Sequence, residues 1–180
     1  MRRLSDLPEP EARAALRACC GASRWVERML TQRPFKNTDE VFASAERIWW
    51  DLGREDWLEA FAAHPKIGER ETEAQTHSDT DAQTHRRTDA QARAWSQQEQ
   101  AGAASAEESV KQALAEANRA YEARFGHIYI VCATGRSAEE MLALCRARLA
   151  HDEEAELRVA AAEQAKITNL RLTKLLEIGT

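Results

Sequence analysis

The chain has 180 residues, with 25 Lys and Arg against 30 Asp and Glu, a formal net charge of -5, and 43% hydrophobic residues. That length suits one domain with a proper core. The acid-leaning balance excludes the basic surface expected of a nucleic-acid binder. No apolar run approaches the roughly 18 residues of a membrane span; the longest, IYIVCA at 128–133, has six.

The start, MRRLSDLPEPEARAAL, has no apolar h-region before its first acids, so it does not read as a signal peptide. The end, LEIGT, is not a peroxisomal address. The expectation is a soluble, cytoplasmic protein with no membrane or nucleic-acid partner.

Residues 11–30, EARAALRACCGASRWVERML, read as helix interrupted at Gly21. Leu16, Cys19 and Cys20 form an i, i+3, i+4 set. Ser23 is the expected cap of the second piece, which carries Trp25, Val26, Met29 and Leu30. Pro34 breaks the pattern, and Asn37 or Thr38 caps a third helix. That helix places Val41, Phe42, Ala45, Ile48, Trp49 and Leu52 on one face. After Gly53 comes REDWLEAFAAH, with Trp57, Leu58 and Phe61 inward. It must stop at His64, because Pro65 disfavours the α conformation in the residue before it.

TEAQTHSD, TDAQTHRR and TDAQARAW, within 72–95, repeat with a period of eight. That period matches neither a helix face nor a strand, and the segment is nearly free of apolar residues. It reads as a solvated insertion, partly helical at best. His77 and His85 arrive with the repeat unit, so a copying event explains them better than a metal site does.

Helix resumes at SQQEQAGAASAEESVKQALAEANRAYEARFG, where Ser96 and Glu99 have the spacing of a capping box. The helix runs to Tyr121 and stops near Gly126. HIYIVCATG is the one strand-like stretch. With no partner strand it is either a buried extended segment or a helix start. Thr134 or Ser137 caps the next helix, whose apolar positions are Met141, Leu142, Leu144, Cys145 and Leu149. In the last helix they are Leu157, Ala160, Ala161, Ala165, Ile167, Leu170, Leu172 and Leu175. The predicted fold is all-α: a single-domain helical bundle of about seven to nine helices. The four cysteines, Cys19, Cys20, Cys132 and Cys145, read as small buried residues in a reducing compartment.

The sequence has no GxGxxG, GxxxxGK[ST], HExxH or GxSxG, so nucleotide-fold, zincin and nucleophile-elbow chemistries lack support. What remains is a histidine at a helix end, the WSQQEQ patch and Arg171. Each has a plain reading. His64 can cap carbonyls and favour the helix dipole. Ser96 and Glu99 can form a capping box. Arg171 can sit exposed on its helix.

Their order along the chain points further. RPF, DWLEAFAAHPKIG, WSQQEQAG, FGHIYIVCATGRSAEEMLAL and EL..AAAEQAKITNLRLTKLL occur in one sequence. The set resembles the 2-oxo-4-hydroxy-4-carboxy-5-ureidoimidazoline (OHCU) decarboxylases, which close the urate-to-allantoin route. The likeness covers about Leu4 to Leu176, within one domain over 1–180. It departs at the octad insertion, about 72–95, and at His127, where the family often has an aromatic or apolar residue. The resemblance implies a cofactor-free, usually dimeric enzyme acting on a small ureidoimidazoline, with no metal. It implies a catalytic His64–Glu99 pair, hydrogen-bonding roles for Ser96 and Gln100, and a carboxylate-holding Arg171. It places Pro65, His127 and Tyr129 along the pocket wall. Its metabolic neighbours would be the urate oxidase and the hydroxyisourate hydrolase. The competing reading is a helical protein-interaction module in which the pair is incidental.

Overall fold

A computed structural model describes residues 4–67, 82–100 and 107–177, with side chains from residue 90 onward in the middle stretch. Eight helices and no strand occur among the described residues: α1 (Glu9–Cys19), α2 (Ser23–Thr31), α3 (Thr38–Trp50), α4 (Arg54–Ala62), α5 (Ala82–Glu99), α6 (Glu108–Phe125), α7 (Ala138–Arg148) and α8 (Glu153–Glu177). The all-α expectation holds. No described helix is long and apolar enough to cross a membrane.

The chain forms two compact units, each assembled from separated stretches. The first comprises Met1–Ala60, Asp81–Ala92 and Ala165–Thr180. In it α1 packs on α2 and α2 on α3. Leu16, Trp25, Met29, Ile48 and Leu172 are fully buried. The Trp25 indole donates to the Ala45 carbonyl at 3.1 Å, and the Trp57 indole to Trp49 at 3.1 Å. Asn37 is the N-cap of α3, its Oδ1 accepting from Glu40 N–H, one of the two residues expected there. The expected cap at Ser23 is corrected. Ala22 occupies the cap position, and the Ser23 hydroxyl and N–H both bond the Glu59 carboxylate.

The second unit comprises Phe61–Thr80 and Arg93–Gln164. There α6 packs against α7 around a core of Ile67, Leu114, Tyr121, Phe125, Tyr129, Val131, Met141 and Cys145. Gly126 closes α6 at φ 71, a left-handed conformation that glycine adopts without Cβ strain. Residues 127–133 then run largely buried without regular secondary structure, so the helix start left open does not form there. Ser137 caps α7 in a full capping box with Glu140.

The octad repeat is helical from Ala82 on, while residues 72–81, including His77, lie outside the described residues. The expected helix start at Ser96 is corrected. Ser96 lies in the last turn of α5, where the Gln100 N–H bonds its carbonyl. Alanine, glutamine and arginine in the repeat have adequate helix propensity, so the helix begins upstream without an apolar stripe. The helix that ends at Gly126 is a separate element, α6.

Candidate functional site

Seven of the eight expected site residues fall in the second unit: His64, Pro65, Ser96, Glu99, Gln100, His127 and Tyr129. The α4 helix ends at Ala62. The His64 N–H closes a final turn on the Phe61 carbonyl at 3.0 Å, and Pro65 follows. His64 and Pro65 are half-buried, so the imidazole is neither sealed in the core nor fully solvated.

Three contacts hold the turn around His64. The Phe61 ring meets the His127 ring at 5.3 Å between centroids. Lys66 Nζ pairs with Glu122 of α6 at 2.8 Å. Asn118 Nδ2, also on α6, donates to the Ile67 carbonyl at 2.8 Å. The segment that carries His64 is thus tied at both ends, and a side chain between two such ties is positioned without being buried.

On α5 the burial pattern is sharp. Trp95, Ser96 and Glu99 are buried, Gln97 and Gln98 are exposed, and Gln100 is half-buried. Residues i and i+3 share a helix face, so a hydroxyl and a carboxylate lie together on the inward side. A capping box requires its serine at the N-cap. Ser96 is at the other end of its helix, so the plain reading of this pair falls.

His127 and Tyr129 are buried in aromatic company. His127 packs against Phe61, Tyr121 and Phe125, and its Nδ1 lies 3.0 Å from the Ile128 carbonyl. The Tyr129 hydroxyl donates to the Met141 carbonyl at 3.2 Å. Burial pushes the Tyr129 pKa up, against the opposing pull of the Arg148 guanidinium.

Arg171 belongs to the first unit and is 4% exposed. Its Nη1 donates to the Ala18 carbonyl at 3.3 Å. The sequence left its face ambiguous between Leu170 and Leu172; the structure turns it inward. Cys20 lies beside it. Burial pushes that thiol up to about 11, outweighing the Ala22 N–H, the Thr168 hydroxyl and Arg171, which act the other way. Cys145 is likewise raised to about 11 by burial. All four cysteines are free thiols, and these two are too weakly acidic to serve as nucleophiles at neutral pH.

Sequence reasoning missed a buried charged network in the second unit. Glu156, fully buried, accepts from Arg148 Nε at 2.8 Å and from Arg148 Nη2 and the Tyr121 hydroxyl, while His151 Nδ1 lies 2.8 Å from its other oxygen. Arg148 Nη1 donates to the Ile130 carbonyl at 2.8 Å, and its guanidinium lies over the Tyr129 ring at 4.8 Å. Burial alone would lower the Arg148 pKa, but its bonds to Glu156 and its charged surroundings win and raise it. Glu163, also buried, accepts from the Cys132 N–H at 2.8 Å. A signal was present. Arg148 continues the Met141, Cys145 stripe at helical spacing, and Glu156 and Glu163 flank Ala160 in the same way. Charged residues in core positions of a stripe mark a buried polar network.

A family model described as OHCU decarboxylase matches residues 5–173. The chain is 36% identical over 160 residues to the uric acid degradation bifunctional protein TTL of Arabidopsis thaliana, covering 88% of this chain but only 45% of that longer protein. It is 32% identical over 153 residues to the 2-oxo-4-hydroxy-4-carboxy-5-ureidoimidazoline decarboxylase of Haloferax volcanii, covering 84% of this chain and 81% of that one. The crystal structure of an OHCU decarboxylase in the presence of (S)-allantoin superposes with a TM-score of 0.72 at 36% identity, over 91% of this chain and 98% of that chain. An (S)-allantoin synthase superposes at 0.67 over 96% of this chain and 52% of that chain, and at 17% identity shares the fold alone. The family match runs from before α1 to within α8, through every segment that carries a site residue, and the chain belongs to the OHCU decarboxylase family of carboxy-lyases.

Proposed function

We propose that the protein converts 2-oxo-4-hydroxy-4-carboxy-5-ureidoimidazoline to (S)-allantoin and carbon dioxide in urate breakdown, without a cofactor, with His64 and Glu99 as the acid–base pair and Arg171 orienting the substrate carboxylate. The observation that carries this reading is the buried Ser96–Glu99 face of α5, in the same unit as the half-buried His64. A carboxylate kept inside a helical protein beside a serine, with no helix start to cap, is suited to serve a reacting group.

The chemistry needs three things. As the bond to the carboxylate breaks, carbon dioxide leaves and the electron pair stays on the ring carbon, spread into the adjacent unsaturated system. A proton must then arrive on one face. The carboxylate must be held so that the breaking bond aligns with the acceptor orbitals. An arginine fork can grip it through two charge-assisted bonds. Arg171 must orient more than it neutralises, because a stabilised ground state slows the reaction.

His64 suits proton transfer, since an unperturbed imidazole titrates near working pH. Glu99 would fix its tautomer and stabilise the imidazolium. His64 either removes the hydroxyl proton, protonates the carbanion equivalent, or does both. Ser96 and Gln100 would bond the ureido and ring carbonyls, with Pro65, His127 and Tyr129 along the wall.

The test generates the unstable substrate from urate with the two upstream enzymes and follows the circular dichroism of the allantoin formed. The expected result is a strong, persistent signal of one hand. His64→Ala should cut the rate by about 10²- to 10⁴-fold, the usual worth of general acid–base help, while the helical content survives. Racemic product from folded wild-type protein would overturn the reading and bring the interaction module forward. On the family resemblance we also read the protein as one domain over 1–180 with the octad repeat inserted, acting as a cytoplasmic homodimer. Sedimentation at micromolar concentration checks the dimer, and a monomer there counts against it.

A further inference from the structure

Segment 127–133 has no regular secondary structure and no strand beside it among the described residues, yet all but Ile128 and Cys132 are buried. Buried backbone without a ladder must find its hydrogen bonds elsewhere. Charged side chains supply several of them: Arg136 donates to the Cys132 carbonyl at 3.2 Å, and two more come from neighbouring helices. Arg148 of α7 donates to the Ile130 carbonyl, and Glu163 of α8 accepts from the Cys132 N–H, each at 2.8 Å. The two bonds come from two different helices and meet main-chain groups two residues apart.

Neutral side chains could make these bonds at lower desolvation cost, because a buried charge must be fully partnered to be tolerated. What the charges add is stiffness. Charge-assisted bonds are shorter and about twice as strong as neutral ones. Arg148 is itself locked by Glu156 and lies against the Tyr121 and Tyr129 rings.

The segment so fixed supports the turn around His64. Tyr129, Val131 and Ala133 share one core cluster with Ile67, and His127 meets Phe61. Phe61 and Ile67 stand three residues on either side of His64. A shift of the segment would move both flanks of the histidine turn.

We propose that Glu163 and Arg148 are positioning residues, which pin the main chain of residues 130–132 as the platform on which the His64 turn rests. The proposal builds on the decarboxylase reading above. Neither residue need touch the reacting atoms; each acts through the main chain.

Glu163 is the better probe, because removing Arg148 strands the fully buried Glu156. Glu163→Ala removes the acceptor, and Glu163→Gln keeps a carbonyl oxygen at the same reach. Asn37→Ala is the control, since it weakens a helix cap and touches no part of the segment. Turnover is followed by the stereospecific allantoin signal, with kcat, KM and melting temperature read for each variant. Glu163→Ala should lose about 10²-fold in kcat, the scale of a misplaced catalytic group, with KM little changed. Glu163→Gln should fall between wild type and Glu163→Ala, because it keeps the acceptor and loses the charge assistance. Asn37→Ala should melt lower and keep its kcat.

If Glu163→Ala does not fold, Glu163→Asp takes its place. It keeps the charge, shortens the reach by one methylene, and should lose about tenfold in kcat. Wild-type kcat in a folded Glu163→Ala or Glu163→Asp would overturn the positioning role and leave the decarboxylase reading intact. No turnover in wild-type protein would overturn the decarboxylase reading, and the positioning role with it.

Discussion

The two units are held together by different means. The first is built mainly on an apolar core of Leu16, Trp25, Met29 and Ile48, with the Trp25 and Trp57 indoles and the buried Arg171 bonded to carbonyls. The second surrounds a fully buried carboxylate, Glu156, that is shared by Arg148, Tyr121 and His151. An apolar core is graded: each lost methylene subtracts a little. A buried ion pair is not graded, because removing one partner leaves an uncompensated charge. The unit that carries His64 and Glu99 therefore has the stiffer and more brittle interior, which suits the active site proposed there.

The sharpest test of that contrast is Arg148→Met. It should cost about 3–5 kcal/mol in denaturant unfolding, the usual loss when one side of a buried pair is removed. Adding Glu156→Leu should recover much of the loss, because two apolar residues leave no charge stranded. In the first unit Leu16→Ala should cost about 3 kcal/mol through its cavity, while the volume-conserving Leu16→Met should cost under about 1.5 kcal/mol. If Arg148→Met costs no more than Leu16→Met, the two interiors are of one kind.

The same contrast explains what the sequence made legible. Boundaries set by local chemistry could be read: Asn37 at the start of α3, Pro65 after α4, Gly126 after α6 and Ser137 before α7. Each rests on a bond or a steric clash within four residues. Boundaries set by distant partners could not. Ser23 reads as a cap, but its hydroxyl goes to Glu59, 36 residues away. Ser96 reads as a helix start because the repeat before it lacks an apolar stripe, yet the repeat continues into α5. Of the candidate site residues, His64, Glu99 and Arg171 are singled out by the order of motifs alone, and Arg171's burial lies beyond any local pattern. Arg148, Glu156 and Glu163 were passed over because a charge in an apolar stripe looks like a gap in the stripe.

Alkaline pH should separate the units next. Cys20 in the first and Cys145 in the second are both raised by burial to about 11 from about 9. A thiol whose folded pKa is raised holds its proton more tightly in the folded state. Its stabilising contribution is complete below pH 9 and is lost as pH rises from about 9 to about 11. For fully buried Cys20 that loss is roughly 2–3 kcal/mol. In the second unit Tyr121 and Tyr129 are raised as well, chiefly by burial, and add to the loss above pH 10. Hydrogen exchange between pH 9 and 11 should therefore show the second unit's amides losing protection first, and Tyr129→Phe should delay that loss. Equal loss in both units would mean that the tyrosines contribute nothing.

The smallest expected difference lies at the helix starts, where the contrast should nearly vanish. At α7 the Ser137 hydroxyl accepts from Glu140 N–H at 3.2 Å, and the Glu140 carboxylate accepts from Ser137 N–H at 2.8 Å. At α3 Asn37 accepts from Glu40 N–H at 2.9 Å, but Glu40 reaches one residue further back, to Lys36 N–H. Both arrangements satisfy two N–H groups with two side chains, and both lie at the exposed surface. Ser137→Ala and Asn37→Ala should each cost about 1 kcal/mol, read from denaturant midpoints at constant slope. A cap bonds only to its own first turn, so its worth does not depend on the core beneath it. If Ser137→Ala instead cost several times as much as Asn37→Ala, the α7 start would be coupled to the Arg148 network at its other end, and the second unit's brittleness would extend to its surface.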